Sequence, residues 1–278
     1  MQPALLAYTI LGLIIGSFLN VCIYRIPRGE SVAFPGSHCP NCGKPIHFYD
    51  NVPVLSYLLL RGKCRACHAA ISPQYPLVEI LSAFAFFGCG LRWNFSAPTY
   101  VNSLFLSAII VLVFIDYHHR ILPNVLTLPG IAAGILLSPF QTISVYTDSV
   151  SISLAELIRP ENPHQLLPWT GSLLGAIIGG GSLLLVALAY EKIRKRQGLG
   201  MGDVKMMAMV GAFLGWHLAW LTLFAGALFG TLVGVFLILF KNMSLQTKLA
   251  FGVFLGIGSA ISLFYGLPIL YWYLRIPR

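Results

Sequence analysis

The sequence predicts an all-α polytopic membrane protein of about eight transmembrane helices, with one small polar insert between helices 1 and 2. Three observations carry that expectation. Of 278 residues, 57% are hydrophobic and only 10% are charged. Apolar runs long enough to cross a bilayer recur along the whole chain. The one extended polar stretch, residues 25–76, holds four of the six cysteines.

Soluble domains usually carry about 25% charged residues, so this chain could not cover its apolar surface in water. The mean hydropathy of +0.78 says the same. A net charge of +9 would suit a nucleic-acid partner. The basic residues, however, sit beside apolar spans, as membrane topology requires. The expected solvent is the lipid bilayer, with no nucleic acid. The first run, Pro3 to Ile23, has no basic residue before it and no small-residue cleavage site, so it reads as a retained span.

Spans are expected near 4–24, 77–95, 99–116, 122–140, 168–191 and 250–273. The run 204–240 is too long for one span and reads as a helical pair turning near Gly215–His217. Polar segments 25–76, 117–121, 192–205 and 241–249 then share one side. They hold all 18 Lys and Arg except Arg92, Arg159, Arg275 and Arg278. The positive-inside rule places that side in the cytoplasm and both termini outside. The loop 141–165, with Asp148, Glu156 and Glu161 against Arg159, falls outside. The organisation is therefore a first span (1–24), a cytoplasmic insert (25–76) and a membrane body (77–278).

About 50 residues is too few for a good core, so the insert needs a staple. Cys39-Pro-Asn-Cys42 and Cys64-Arg-Ala-Cys67 supply one. Each pair can form a knuckle that aims two thiolates at one ion, and four thiolates close a structural zinc shell. Gly43, just after the first pair, suits the turn. Four reduced thiols or two disulfides are the alternative, and His38, His47 or His68 could replace a ligand. Cys22 and Cys89 lie in apolar runs and read as inert core thiols.

The chain has nine acidic residues, and two sit at membrane edges. Asp116 ends one apolar run; Asp203 follows Gly198-Leu-Gly200-Met-Gly202 and opens the next. Ionisable groups there are costly and suggest function. Two carboxylates sharing a site cannot both ionise comfortably, so one becomes a base for water and the other an acid for the leaving amine. The glycines would let the backbone bend and leave room for an extended peptide. Without chemistry, each Asp would be an interfacial anchor, or for Asp203 a helix cap.

Several segments, in order, resemble the bifunctional type IV prepilin peptidases. They are Gly16-Ser-Phe-Leu-Asn20, Tyr24-Arg-Ile-Pro27, the two cysteine pairs, Asn51-Val-Pro-Val-Leu-Ser56 and Arg61-Gly-Lys-Cys64. Tyr75-Pro-Leu-Val-Glu79, Asp116 with Leu122-Pro-Asn124, and Gly200-Met-Gly-Asp203-Val-Lys205 continue the series. The resemblance implies a bacterial inner-membrane aspartic protease with Asp116 and Asp203 catalytic. It would cut prepilin and pseudopilin leaders after Gly on the cytoplasmic side. It would then N-methylate the new terminus from S-adenosylmethionine, with Gly62, Lys63 and Glu79 matching positions associated with that step. The chain departs from the family at Gln197, often Glu, and at Phe251-Gly-Val253, where a Phe-Gly-Pro motif is usual. Neither departure is expected to touch the Asp pair.

Three other readings compete. The two Asp could form the ion relay of a transporter or proton channel. The chain could be a non-catalytic zinc-bearing scaffold, or a peptidase without methyl transfer. Relay residues lie near the bilayer midplane, whereas Asp116 and Asp203 lie at helix ends.

Overall fold

A computed structural model describes residues 3–142, 149–195, 200–241 and 249–274. Asp148, Arg196, Gln197, Gly198, Lys248, Arg275 and Arg278, which entered the sequence argument, lie outside those ranges. Among the described residues the chain is helical, and its two isolated β-bridges are both in the insert.

The helices are α1 (Pro3–Arg25), α2 (Leu55–Leu59), α3 (Gln74–Trp93), α4 (Ala97–His119), α5 (Asn124–Leu137), α6 (Ser149–Ile158), α7 (Pro163–Arg194), α8 (Met201–Lys241) and α9 (Phe251–Leu274). Six of them, α1, α3, α4, α7, α8 and α9, are long and apolar enough to cross a membrane, and α5 extends into a shorter apolar helix. Helix α8 is two arms joined at Gly215, whose φ of 73° and ψ of 169° suit only glycine. Counting both arms and α5, the apolar segments reach the eight that hydropathy implies. The turn expected near Gly215–His217 falls on Gly215.

The chain forms two compact units, Met1–Ile115 and Asp116–Arg278. In the first, α1 packs on α3 through small residues. A β-carbon on Gly16 would lie 2.6 Å from the Glu79 Cα, so the helices can approach this closely only with glycine there. Polar side chains join in. Asn20 Nδ2 donates to the Tyr75 carbonyl at 3.0 Å, and Tyr8 donates to Ser103 Oγ at 2.8 Å. Cys22 and Cys89 are buried among these helices, as expected.

In the second unit the first arm of α8 is the core. Met206, Met207, Met209, Val210 and Leu214 are fully buried along it. Helix α7 crosses it with backbones in contact: a β-carbon on Gly175 or Gly211 would overlap the other's carbonyl oxygen. Ser172 of α7 donates to the Ala212 carbonyl at 2.7 Å. Without a hydrophobic driving force between helices in lipid, such close packing holds the bundle together.

Two elements differ from expectation. The loop 141–165 contains α6, which packs on α7; Ala155 and Leu167 are buried there, and Thr170 reaches the Ser151 carbonyl. Ten residues fall short of a span, so hydropathy alone passes over it. Helix α7 also begins at Pro163, a favoured first position, and continues through Pro168. Interior proline usually stops a helix, so α7 runs through it against local preference, and the apolar run expected from 168 is only part of the helix.

Candidate active site and cysteine centre

The insert is organised around its cysteines. Its two C-x-x-C segments share one backbone pattern. Cys39 N–H bonds the Lys44 carbonyl and Gly43 N–H bonds the Cys39 carbonyl, both at 2.9 Å. Cys64 with Ala69, and His68 with Cys64, repeat those bonds at 2.9 Å. The fifth position is left-handed in both, Gly43 at φ 70° and His68 at φ 57°. His68 is therefore a turn residue.

The four Sγ atoms lie within 4.8 Å of one another, with Cys39 and Cys67 3.8 Å apart. A tetrahedral zinc with bonds of about 2.3 Å sets its sulfurs about 3.8 Å apart, so the donor set fits that ion. None of these sulfurs is in a disulfide. The N–H of Cys42, then that of Asn41, lowers the Cys39 thiol below its ordinary range. The Ala69 N–H and the Asn41 amide, 3.6 Å away, bring Cys67 down to about 6. Both shifts favour the thiolates a metal requires, whereas Cys42 is pushed up to about 11: the Lys44 N–H lowers it, but burial and the neighbouring Cys39 and Cys67 sulfurs outweigh that donor. Asp50 adds a strap: it accepts a forked contact from Arg65, with Nη2 at 2.6 Å and Nε at 2.8 Å.

The residues tied by resemblance to methyl transfer surround α2. Glu79, 6% exposed on α3, accepts the Val54 N–H at 2.7 Å, just before α2. Gly62, at φ 66°, lies past its other end beneath the Tyr57 ring. Lys63 is exposed on the second knuckle, bridged to Ala70. An anionic ligand group could reach Lys63. The Glu79 carboxylate is already engaged with the insert backbone.

In the second unit, Asp116 sits in the last turn of α4 and Asp203 in the first turn of α8. The two carboxylates lie within each other's electrostatic reach. Leu122 packs against the glycines beside each of them, Gly202 and Gly252. A β-carbon on Gly202 would lie 2.9 Å from Leu122 Cβ, and one on Gly252 would lie 3.2 Å from Leu122 Cδ1. Lys205 Nζ donates to Asn124 Oδ1 at 2.7 Å, joining the start of α5 to the helix that carries Asp203.

Two expectations need correction here. Gly200 and Gly202 do not take a positive φ, and the space over Gly202 is filled by Leu122. Gly202 therefore serves close packing, whereas a β-carbon on Gly200 would meet the Asp203 Oδ2 at 3.3 Å. Phe251-Gly-Val253, expected to lie apart, meets the pair. The Gly252 and Val253 N–H groups face the Asp116 carboxyl group, and a β-carbon on Gly252 would lie 2.8 Å from Oδ2. Sequence position gives no sign of this, because the contact joins residues far apart in the chain.

Comparison with known families gives two matches. Residues 10–93 match the Bacterial Peptidase A24 N-terminal domain, and residues 103–235 match the Type IV leader peptidase family. The chain belongs to the type IV leader peptidase family. Among the relatives of this peptidase is a prepilin leader peptidase/N-methyltransferase of Pseudomonas putida. It is 31% identical over 290 residues, covering 96% of this chain and 93% of the relative. A protein of the same name from Myxococcus xanthus is 36% identical, covering 83% of this chain and 62% of the relative. Another from Aeromonas salmonicida is 32% identical, with 94% and 91% covered. No solved structure matches the chain.

Proposed function

We propose that this multi-pass bacterial membrane protein is an aspartic endopeptidase that removes the leaders of type IV prepilins and pseudopilins. It then N-methylates the exposed amino terminus. The observation that carries the peptidase reading is the gathering of Asp116 and Asp203 at one site, beside which Lys205 of α8 bonds Asn124 of α5. One carboxylate takes a proton from water as its oxygen attacks the scissile carbonyl, and the other donates a proton to the carbonyl oxygen. When the tetrahedral intermediate collapses, the C–N bond breaks and a proton passes to the departing amine. Their positions at helix ends favour this reading over a midplane ion relay.

Residues 77–278 form the peptidase body, and residues 25–76 form an insert stapled by zinc on Cys39, Cys42, Cys64 and Cys67. Zinc supplies structure alone, because four thiolates leave no open position. The active site and insert face the cytoplasm across the inner membrane, following the basic segments. S-adenosylmethionine supplies the methyl group. Lys63 binds a carboxylate of the donor, Gly62 lets the backbone come close, and Glu79 holds the intervening loop through Val54.

The test is incubation of the purified protein with a prepilin leader peptide and S-adenosylmethionine, read by mass spectrometry. Cleavage after Gly and one added methyl on the new terminus are expected. An intact peptide would overturn the peptidase reading, and a cleaved, unmethylated product would leave a peptidase alone.

A further inference from the structure

We infer that the first turn of α9 is a clamp that positions Asp116 as the water-activating base of the pair, leaving Asp203 as the acid. The inference rests on the Asp116/Asp203 reading. Asp116 is 5% exposed, and its Oδ2 is buried without a hydrogen bond of normal geometry. The group facing it is the start of α9, where the N–H groups of Gly252 and Val253 point at the carboxyl. First-turn N–H groups have no partner within their own helix and form its positive end. Gly252 makes the approach possible, since a β-carbon there would sit 2.8 Å from Oδ2 and 3.1 Å from Cγ.

The charged groups facing Asp116 are Arg120, just beyond the end of α4, and Asp203 from α8. Among the described residues, the backbone donor facing the Asp203 carboxylate is the Gly200 N–H. When two carboxylates share one proton, the better-donated one keeps the charge. Asp116, with two N–H groups and a guanidinium, accepts the proton of the attacking water. Asp203 holds the proton that passes to the scissile carbonyl oxygen. Gly252 and Val253 are positioning residues, since neither touches the substrate.

Two substitutions in the full-length enzyme test this, with kcat, KM and the pH–rate profile measured on a leader peptide. Gly252→Ala forces a methyl group against the carboxyl; kcat should fall on the order of 10²-fold with KM near wild type, as for a misplaced reacting group. Val253→Pro removes one donor where a helix start tolerates proline. Its acidic limb should move toward neutral pH, with kcat several-fold lower. A Val253→Pro profile that superimposes on wild type would overturn the clamp, and decides the matter even if Gly252→Ala does not fold. Asp116→Asn is measured alongside. If that variant cleaves normally, the pair itself is wrong, a different failure from that of the clamp.

Discussion

Lys205 Nζ lies 2.7 Å from Asn124 Oδ1, although 81 residues separate them in the chain. The bond ties the start of α5, which follows the loop after Asp116, to the helix that carries Asp203. Lys205→Met keeps the stem and removes the donor. A charge-assisted bond at an exposed site is worth about 1 kcal/mol. The expected loss is therefore about 3–10-fold in kcat/KM. Steady-state cleavage of a leader peptide measures it, and wild-type turnover would show the bond to be ornamental.

Asp116→Asn and Asp203→Asn keep size and remove proton chemistry. Each should lower cleavage on the order of 10²–10⁴-fold. The double variant should be scarcely worse than either single, since the two act as a unit. Additive losses in a single-turnover assay would argue against a shared site.

The purified protein should carry about one zinc, as a four-thiolate site holds. Cys39→Ser or Cys64→Ser should lower that content and open the insert to protease. His68→Gly separates ligand from turn. At φ 57° a histidine is strained by about 1 kcal/mol relative to glycine. The glycine variant should keep its zinc and resist protease better than wild type. Loss of metal on that substitution would make His68 a ligand.

Arg65 holds the Asp50 carboxyl below its ordinary value of 3.8. A carboxyl with a depressed folded-state value contributes stability above about pH 4, and that contribution is lost as pH falls through the folded value. Asp50→Asn should therefore make the insert easier to digest at neutral pH. The difference from wild type should vanish in strong acid. Limited proteolysis across pH gives the comparison.

Lys63→Ala should leave cleavage intact and strongly reduce methylation. Lys63 is exposed on the knuckle and lies in a different unit from the Asp pair. The mass of the mature amino terminus made with excess methyl donor reports it. Full methylation at the wild-type rate would move the donor site elsewhere.

The fold was legible wherever local chemistry decides structure. Asp116 and Asp203 stand out because a carboxylate at the edge of an apolar run has few reasons to be there. The knuckles announce themselves through Cys spacing and Gly43. His68 hid its turn, since a histidine at a left-handed position carries no local signal. Glu79 entered through the family resemblance alone, and its partner, the Val54 N–H, gave no sign, because backbone donors look alike in sequence.

The amino-acid sequence alone determined that this chain lives in a bilayer, roughly where its spans run, which cysteines gather and which carboxylates sit at helix ends. Those follow from hydropathy, charge placement and short-range spacing, which act along the chain. Tertiary structure alone decided that α9 begins against Asp116, that Leu122 separates the glycines from open space, and that Lys205 reaches Asn124. Each depends on how closely helices distant in sequence pack, and in lipid that distance is set by shape more than by hydrophobicity.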